Sequence, residues 1–173
     1  MTRSLLTLAV LLAAMTALMA QEKTGAPAGK DKDSTAKLTN DEKALVELTN
    51  KARAEAKLSR LTINPLLCKV AREHSLNMAR QEKMSHELDG KKVKDRVTDA
   101  GYDYRKVGEN LAMSSGDSEA PASPPADIQK TWMESKGHRA NILDPKYTEV
   151  GVSMALSKKG TYYYTMVFGV PRK

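Results

Sequence analysis

The three histidines are the residues of this chain best suited to chemistry, because imidazole changes its charge near neutral pH and binds metal ions. His74 lies on the apolar stripe of a predicted helix, where a histidine is more often a core residue than a ligand. His86 follows that helix in a polar segment, and His138 lies in the stretch 132–143. We therefore expect His74 to be structural, which leaves His86 and His138 as candidates for chemistry.

The stretch 132–143 combines features of a built site. It contains the only tryptophan, Trp132, and a His138-Arg139 pair. Gly137 predicts the end of a helix just before that pair. An aromatic anchor, a helix end and two polar side chains so close together favour a site over a plain connector.

Capping signals and helical periodicity predict the elements that position these residues. Thr39 and Glu42 have the spacing of a capping box, and Asn64 precedes a proline at a first helical position. Ser123 is predicted to cap a further helix that begins with Pro124. The predicted helices cover about 40–57, 65–82, 93–100 and 124 onward. The third is indicated by the helical spacing of Val93, Arg96, Val97 and Ala100 along one stripe.

The C-terminal end predicts two strands. Residues 149–156 alternate apolar and small or polar side chains, as in a strand with one buried face. Residues 162–170 are apolar on both faces, which is typical of a central strand. A turn at 158–160 joins them into an antiparallel hairpin. Helices first and strands last predict an α+β domain with helices packed against a mainly antiparallel sheet.

The N-terminus predicts export. Arg3 precedes an almost unbroken apolar run over 5–18, so residues 1–20 are interpreted as a secretory signal peptide. An uncleaved N-terminal anchor is the alternative. Residues 21–37 lack large apolar side chains and predict a disordered linker. The remainder, 38–173, is long enough for one domain with its own core. We expect a secreted or otherwise extracytoplasmic protein.

Charge and cysteine content narrow the class of partner. The formal net charge is +7, and without residues 1–20 the chain keeps 27 basic and 21 acidic residues, a net charge of +6. Export and the lack of a long basic block disfavour nucleic acid. A solvated basic surface is the simpler interpretation of this charge, and attraction to anionic cell-wall polymers or lipid headgroups is the functional one.

Cys68 is the only cysteine, so an intramolecular disulfide is excluded.

A series of short motifs resembles one known family. They are Ser85-His86, Gly108-Glu109-Asn110, the stretch 132–143, Glu149-Val150-Gly151-Val152 and Val167-Phe168-Gly169. In this order they are similar to the CAP superfamily of cysteine-rich secretory, antigen 5 and pathogenesis-related proteins, most of all its bacterial single-domain branch (SCP domain). The resemblance covers about residues 40–171. It implies an α-β-α sandwich, with helices on both sides of the sheet.

The resemblance also implies a cleft lined by two histidines and two acids. His86 matches the first histidine, Glu109 matches the acid of the glycine-glutamate-asparagine motif, and His138 matches the second histidine. The second acid is replaced by Ser135, three residues after the tryptophan. Glu134 is offset by one residue, which turns its side chain by about 100° on a helix, so the role is not transferred to it.

Three hypotheses follow for these residues. Two imidazoles and a carboxylate could hold a divalent metal such as zinc, with water at the open position, so the tentative metal ligands are His86, Glu109 and His138. The same three could instead serve a hydrolase of the protease or esterase kind, with His138 or His86 as general base and Glu109 orienting it. Ser135 would be the nucleophile. No nucleophile signature accompanies Ser135.

The hypothesis that we favour is a non-catalytic extracellular binding module that requires no cofactor. The resemblance implies a lipid, glycan or protein ligand, with membrane contact only at the periphery or through an uncleaved anchor. The two histidines and Glu109 would then form a polar network that fixes the cleft. Ser135, Asn110 and Arg139 are expected to support it.

Overall fold

The computed structural model describes residues 37–115 and 123–172. The predicted signal peptide at 1–20 and the predicted linker at 21–37 lie outside the described residues, except for Lys37. Among the described residues, no helix has both the length and the apolar character needed to cross a bilayer.

The described part of the chain forms five helices and four strands. The helices are α1 (Asn40–Glu55), α2 (Pro65–Gln81), α3 (Val93–Asp99), α4 (Pro125–Glu134) and α5 (Lys136–Ile142). The strands are β1 (Thr62–Ile63), β2 (Tyr104–Ser115), β3 (Glu149–Leu156) and β4 (Thr161–Pro171). The α+β class is confirmed, but the strands do not all follow the helices, because β1 and β2 lie between them.

The strands form one mixed sheet in the order β1-β3-β4-β2. β4 pairs antiparallel with both β3 and β2, so it is the central strand that its apolar faces predicted. β3 and β4 form the predicted hairpin, and Gly160 in its turn has a φ of 82°. β1 pairs with β3 in parallel, which completes the sheet at the edge farthest from β2.

Helices cover both faces of the sheet, because neighbouring residues of β4 point to opposite sides. Met166 and Phe168 pack in a cluster with apolar residues of α1, α4 and α5. Val167 packs in a second cluster with residues of α2 and α3. Trp132 of α4 is fully buried in the first cluster, and its Nε1 donates to the Leu111 carbonyl at 2.9 Å. The α-β-α sandwich is confirmed.

The predicted starts of the first two helices are also confirmed. Thr39 caps α1, with the Glu42 amide donating to its Oγ1 at 3.2 Å and the Glu42 carboxylate accepting from the Thr39 amide at 2.8 Å. Asn64 caps α2, and its Oδ1 accepts from the Leu66 amide at 2.9 Å. Such caps satisfy amides that the helix itself leaves without partners.

The helix break in the stretch 132–143 differs from the prediction. α4 ends at Glu134, and Ser135 adopts an extended conformation (φ −86°, ψ 121°) that separates it from α5. Gly137 lies inside α5 and lacks the positive φ of a glycine that ends a helix. The prediction of a helix stop at Gly137 is therefore wrong, and His138 lies on a helix.

The start of α4 is displaced by one residue from the prediction. Pro124, rather than Ser123, is the N-cap, and Pro125 takes the first helical position. A proline disfavours helical conformation in the residue before it, so Pro125 holds Pro124 extended at ψ 143°.

Candidate functional site

Glu109 of β2 is the centre of the candidate site. Its side chain is only 1% exposed, and each carboxylate oxygen has a partner. Oε1 contacts His86 Nδ1 at 2.8 Å, and Oε2 accepts from Arg96 of α3 at 2.5 Å. Hydrogen bonds to a charged carboxylate from a guanidinium are among the strong ones in proteins. The buried carboxylate is thus fixed between two donors on separate segments.

Arg96 is the site residue that the sequence analysis missed. Its side chain is 11% exposed, and the guanidinium also donates to the main-chain carbonyls of His86 at 3.2 Å and Lys91 at 2.8 Å. Arg96 therefore holds both Glu109 and the segment that carries His86. The available signal was its position on the apolar stripe of α3 beside Val97, where an arginine needs a buried partner.

His74 of α2 lies beside the same carboxylate. Its side chain is fully buried, and Nε2 lies 4.0 Å from Glu109 Oε2 and 2.9 Å from the Ser85 carbonyl oxygen. That carbonyl can only accept, so Nε2 carries the proton and Nδ1 is a free acceptor. His74 is the core histidine that was predicted, but Nδ1 has no hydrogen-bond partner among the described residues.

His138 of α5 is linked to the site through asparagine side chains. Asn110 Nδ2 donates to the His138 carbonyl at 3.1 Å, and Asn110 Oδ1 accepts from Asn141 at 2.9 Å. Asn141 also donates to the Glu109 carbonyl at 3.2 Å. These bonds join α5 to β2 through Asn110 and Asn141.

The remaining predicted residues lie around this network. Ser135 is half-buried between α4 and α5, and its side chain makes no capping hydrogen bond. Arg139 is exposed on α5. His138 Nδ1 is buried without a partner in the described part of the chain, so Ser135 does not donate to it. Glu134 is exposed and lies 3.9 Å from Lys130, as expected of an acid outside the cleft.

The geometry does not fit a three-ligand metal centre in this conformation. Within residues 37–115 and 123–172, no group of three His, Cys, Asp or Glu side chains is arranged to hold a metal ion. Both Glu109 oxygens are engaged, and Oε2 faces the positive charge of Arg96. A metal bound at Glu109 would therefore have to displace one of these partners.

Burial lowers the pKa of His74 below its ordinary value of 6.5. The nearby carboxylate of Glu109 raises this pKa in part, whereas the charges of Arg96 and His86 lower it further. The pKa of His138 is lowered by burial and then by His86. The lowered pKa values favour the neutral form of both imidazoles at pH 7, because burial makes the charged form costly.

We expect the free energy of unfolding to fall as the pH decreases below about 6.5. In that range the unfolded chain takes up protons on His74 and His138, while the folded chain resists them, so unfolding becomes easier. One histidine contributes a slope of at most about 1.4 kcal/mol per pH unit. Urea unfolding at several pH values between about 5.5 and 7.5 measures how the free energy of unfolding depends on pH.

The variant His74→Phe is the comparison for this pH dependence. It keeps a buried ring but removes the titrating group, so its stability should change less steeply with pH than that of the wild type. Equal slopes in the two proteins would contradict the assignment of the effect to His74.

Comparison with known proteins identifies similar chains. The profile of the CAP family (cysteine-rich secretory protein family) matches residues 46–168. The Bacillus subtilis protein YkwD is 34% identical over 134 residues, which cover 73% of this chain and 49% of YkwD. The Bacillus subtilis membrane protein YlbC is 33% identical over 133 residues, which cover 75% of this chain and 34% of YlbC. This chain thus spans less than half the length of either relative.

Solved structures from other bacteria have a similar fold. An extracellular protein with an SCP domain from Bacillus anthracis has a TM-score of 0.64 at 25% identity, covering 80% of this chain and 45% of that one. A cysteine-rich secretory protein from Staphylococcus aureus has a TM-score of 0.55 at 25% identity, covering 75% and 38%. An outer surface protein from Borrelia burgdorferi reaches 0.68 at 19% identity, covering 76% and 93%, and shows the fold alone.

Proposed function

This chain belongs to the cysteine-rich secretory protein (CAP) family, and we propose that it is an extracytoplasmic binding domain rather than an enzyme. The proposed location is supported by the similar Bacillus anthracis protein, which is described as extracellular, and by the signal-like N-terminus. The proposed ligand is a lipid, glycan or protein outside the cytoplasm. The net positive charge favours a ligand on an anionic surface.

The state of Glu109 carries this proposal. A buried carboxylate that is bonded through both oxygens is held in one orientation. Here His86 holds one carboxylate oxygen and Arg96 holds the other, on a side chain that is almost fully buried. Glu109 is therefore arranged to tie β2, α3 and the segment before α3 together, which keeps the cleft in one shape for a ligand.

The arrangement around Ser135 supports the same conclusion. A serine nucleophile is activated by a base within hydrogen-bond reach. His138 Nδ1 has no partner among the described residues, and Ser135 lies at the junction of two helices rather than on a strained turn. The hydrolase alternative thus has no support from Ser135, the nucleophile that it requires.

A sedimentation assay tests the binding proposal. The purified full chain should sediment with peptidoglycan sacculi or with phosphatidylglycerol vesicles, and salt should weaken that retention. Arg96→Met should weaken the binding affinity roughly tenfold, because Glu109 and the His86 segment lose their shared donor. Arg60→Met is the matched control, since it removes the same charge from an exposed pair with Glu47.

Two results would contradict the proposal. One is the absence of retention on both sacculi and vesicles. The other is sustained turnover of a peptide or ester by the full chain that Glu109→Gln abolishes, which would support the hydrolase alternative.

The metal hypothesis is separate and has its own test. A zinc ion bound by the cleft predicts calorimetric heats that are lost in both His86→Ala and His138→Ala. Equal heats in the wild type and the two variants would reject it.

A further inference from the structure

Exposed apolar side chains are concentrated at one end of the sheet, where a turn at 157–160 joins β3 to β4. Among the described residues, six large apolar side chains are exposed. Four of them are 44% to 56% exposed and lie at this end; they are Leu76, Met84, Met113 and Leu156. The other two, Ile63 and Leu66, lie at the opposite end, beside the pairing of β1 with the start of β3. Exposed apolar groups collected in one region mark a contact surface.

A groove between α2 and the end of β3 joins two of these side chains. Its volume is about 300 Å³, and both Leu76 and Leu156 line it. Met113 of β2 lies in the same part of the sheet, because it pairs with Tyr163 of β4. Tyr163 pairs in turn with Ala155, the residue before Leu156. Leu76, Met113 and Leu156 thus belong to one end of the sheet.

Three exposed lysines accompany these apolar side chains. Lys158 lines the groove, and Lys159 follows it in the turn. The Lys159 amide donates to Glu82 Oε1 at 3.3 Å, so the C-terminal end of α2 lies against the turn, with Lys83 and Met84 directly after it. None of the three lysines belongs to an ion pair with a described acid. Their charges are therefore available to an anionic partner.

We call the four apolar side chains and the three lysines together the hairpin-end surface. Apolar side chains beside lysines are suited to the boundary of an anionic bilayer, where the apolar groups enter the lipid and the ammonium groups stay at the phosphates. Each such lysine strengthens binding roughly fivefold.

A second copy of this chain fits the hairpin-end surface less well than a bilayer does. Two copies joined through it would bring the three lysines of each copy together, and like charges repel. A stable interface also buries about 800 Å² on each partner, which four half-exposed side chains do not supply. Charge complementarity therefore favours the bilayer.

We propose that the hairpin-end surface docks this domain on an anionic phospholipid bilayer. Its apolar side chains enter the boundary between headgroups and acyl chains, and its lysines contact the lipid phosphates. This inference rests on the proposed function, whose anionic surface it identifies as a bilayer. It places that contact on residues other than His86, Glu109 and His138 of the cleft.

Sedimentation with vesicles tests this inference. The chain from Gln21 onward, the product of the predicted signal cleavage, is used so that the apolar run at 5–18 does not bind the vesicles itself. It contains all described residues and their three apolar core clusters. We expect it to bind phosphatidylglycerol vesicles at least about tenfold more tightly than phosphatidylcholine vesicles.

Two double variants compare the apolar side chains at the two ends of the sheet. Met113→Ser with Leu156→Ser should weaken binding to phosphatidylglycerol vesicles about tenfold or more, because less apolar surface enters the lipid. Ile63→Ser with Leu66→Ser is the matched control. These side chains are 43% and 39% exposed at the opposite end, so the affinity should not change.

A second comparison tests the lysines and decides the question if the first variants do not fold. Lys158→Gln with Lys159→Gln should weaken the binding about tenfold or more at low salt. Lys57→Gln with Lys146→Gln removes the same charge from exposed positions in the segments that lead into β1 and β3. That control should change the affinity less than about twofold, because salt screens distant charges.

Methionine methyl NMR with spin-labelled phosphatidylglycerol shows which side chains meet the lipid. The signals of Met84 and Met113 should weaken in the bound protein. Those of Met78 and Met166, which are fully buried in the core, should keep their intensity.

The contrary results are distinct. Equal affinities of a double variant and its control, or unchanged signals of Met84 and Met113, would overturn the assignment of the hairpin-end surface. A concentration-dependent dimer that Met113→Ser with Leu156→Ser abolishes would assign this surface to a second copy instead. Retention on sacculi without binding to vesicles would reject the bilayer and leave the proposed binding function standing. Loss of retention on both would reject the binding function itself.

Discussion

Replacing Gly151 with alanine is expected to lower the free energy of unfolding by at least about 3 kcal/mol, which is large for a single methyl group. Gly151 of β3 lies against the start of α2, and a Cβ there would come within 3.0 Å of backbone atoms of Leu67 and Cys68. A backbone cannot rotate away as a side chain can. The helix that carries His74 would have to move off the sheet.

Gly137→Ala is the control for this experiment. Gly137 lies in α5, where an added Cβ would meet no atom within 4 Å. Alanine is favoured over glycine in a helix, so this variant should gain up to about 1 kcal/mol. Urea unfolding of both variants measures the difference. If Gly151→Ala unfolds at the same urea midpoint as the wild type, Gly151 does not lie in close contact with the backbone of Leu67 and Cys68.

Local signals predicted most of the fold, because they depend on short stretches of chain. The capping box at Thr39 and Glu42 and the Asn64 cap set the starts of α1 and α2 within one or two residues. The alternation in β3 and the apolar run in β4 predicted their pairing. The three-layer order came from the family resemblance, since periodicity alone does not say which face of a sheet a helix covers.

The predictions failed where the deciding contact lies far along the chain. β1 has two residues, too few for any periodicity, and is defined by its pairing with β3 about ninety positions away. The break at Ser135 carries no glycine or proline signal. Gly137 is the residue that the rules for helix ends favour, yet it continues as helix in α5.

The candidate site shows the same division. His86 and Glu109 were identified from motifs, but their partner Arg96 appeared only as a charged residue on an apolar stripe. The closeness of His74 to Glu109 depends on the packing of α2 across the sheet face. The spacing of these residues along the chain does not predict the Arg96–Glu109 distance or the His74–Glu109 distance. Sequence reasoning therefore reached the acid and the histidine that binds it, and missed the guanidinium that occupies the other carboxylate oxygen.

Arg53→Met is expected to lower the free energy of unfolding by about 3 kcal/mol or more. Arg53 of α1 is fully buried, and its guanidinium donates to four main-chain carbonyls. The acceptors are Ser59 at 2.8 Å, Ile142 at 2.8 Å, Asp144 at 2.9 Å and Tyr147 at 3.1 Å. Methionine fills similar space but provides no donor for these carbonyls, two of which accept in buried surroundings.

The control for Arg53→Met is Arg60→Met, which removes an arginine from an exposed ion pair with Glu47. The two side chains of that pair are 61% and 63% exposed, so its loss should change stability by less than about 1 kcal/mol. Arg53 also fixes the segment directly after α5, the helix that carries His138. The imidazole NMR signals of His138 should therefore shift in Arg53→Met and stay in place in Arg60→Met. Equal stability of the two variants would mean that the four carbonyls find other partners, and the link from α1 to the cleft would be wrong.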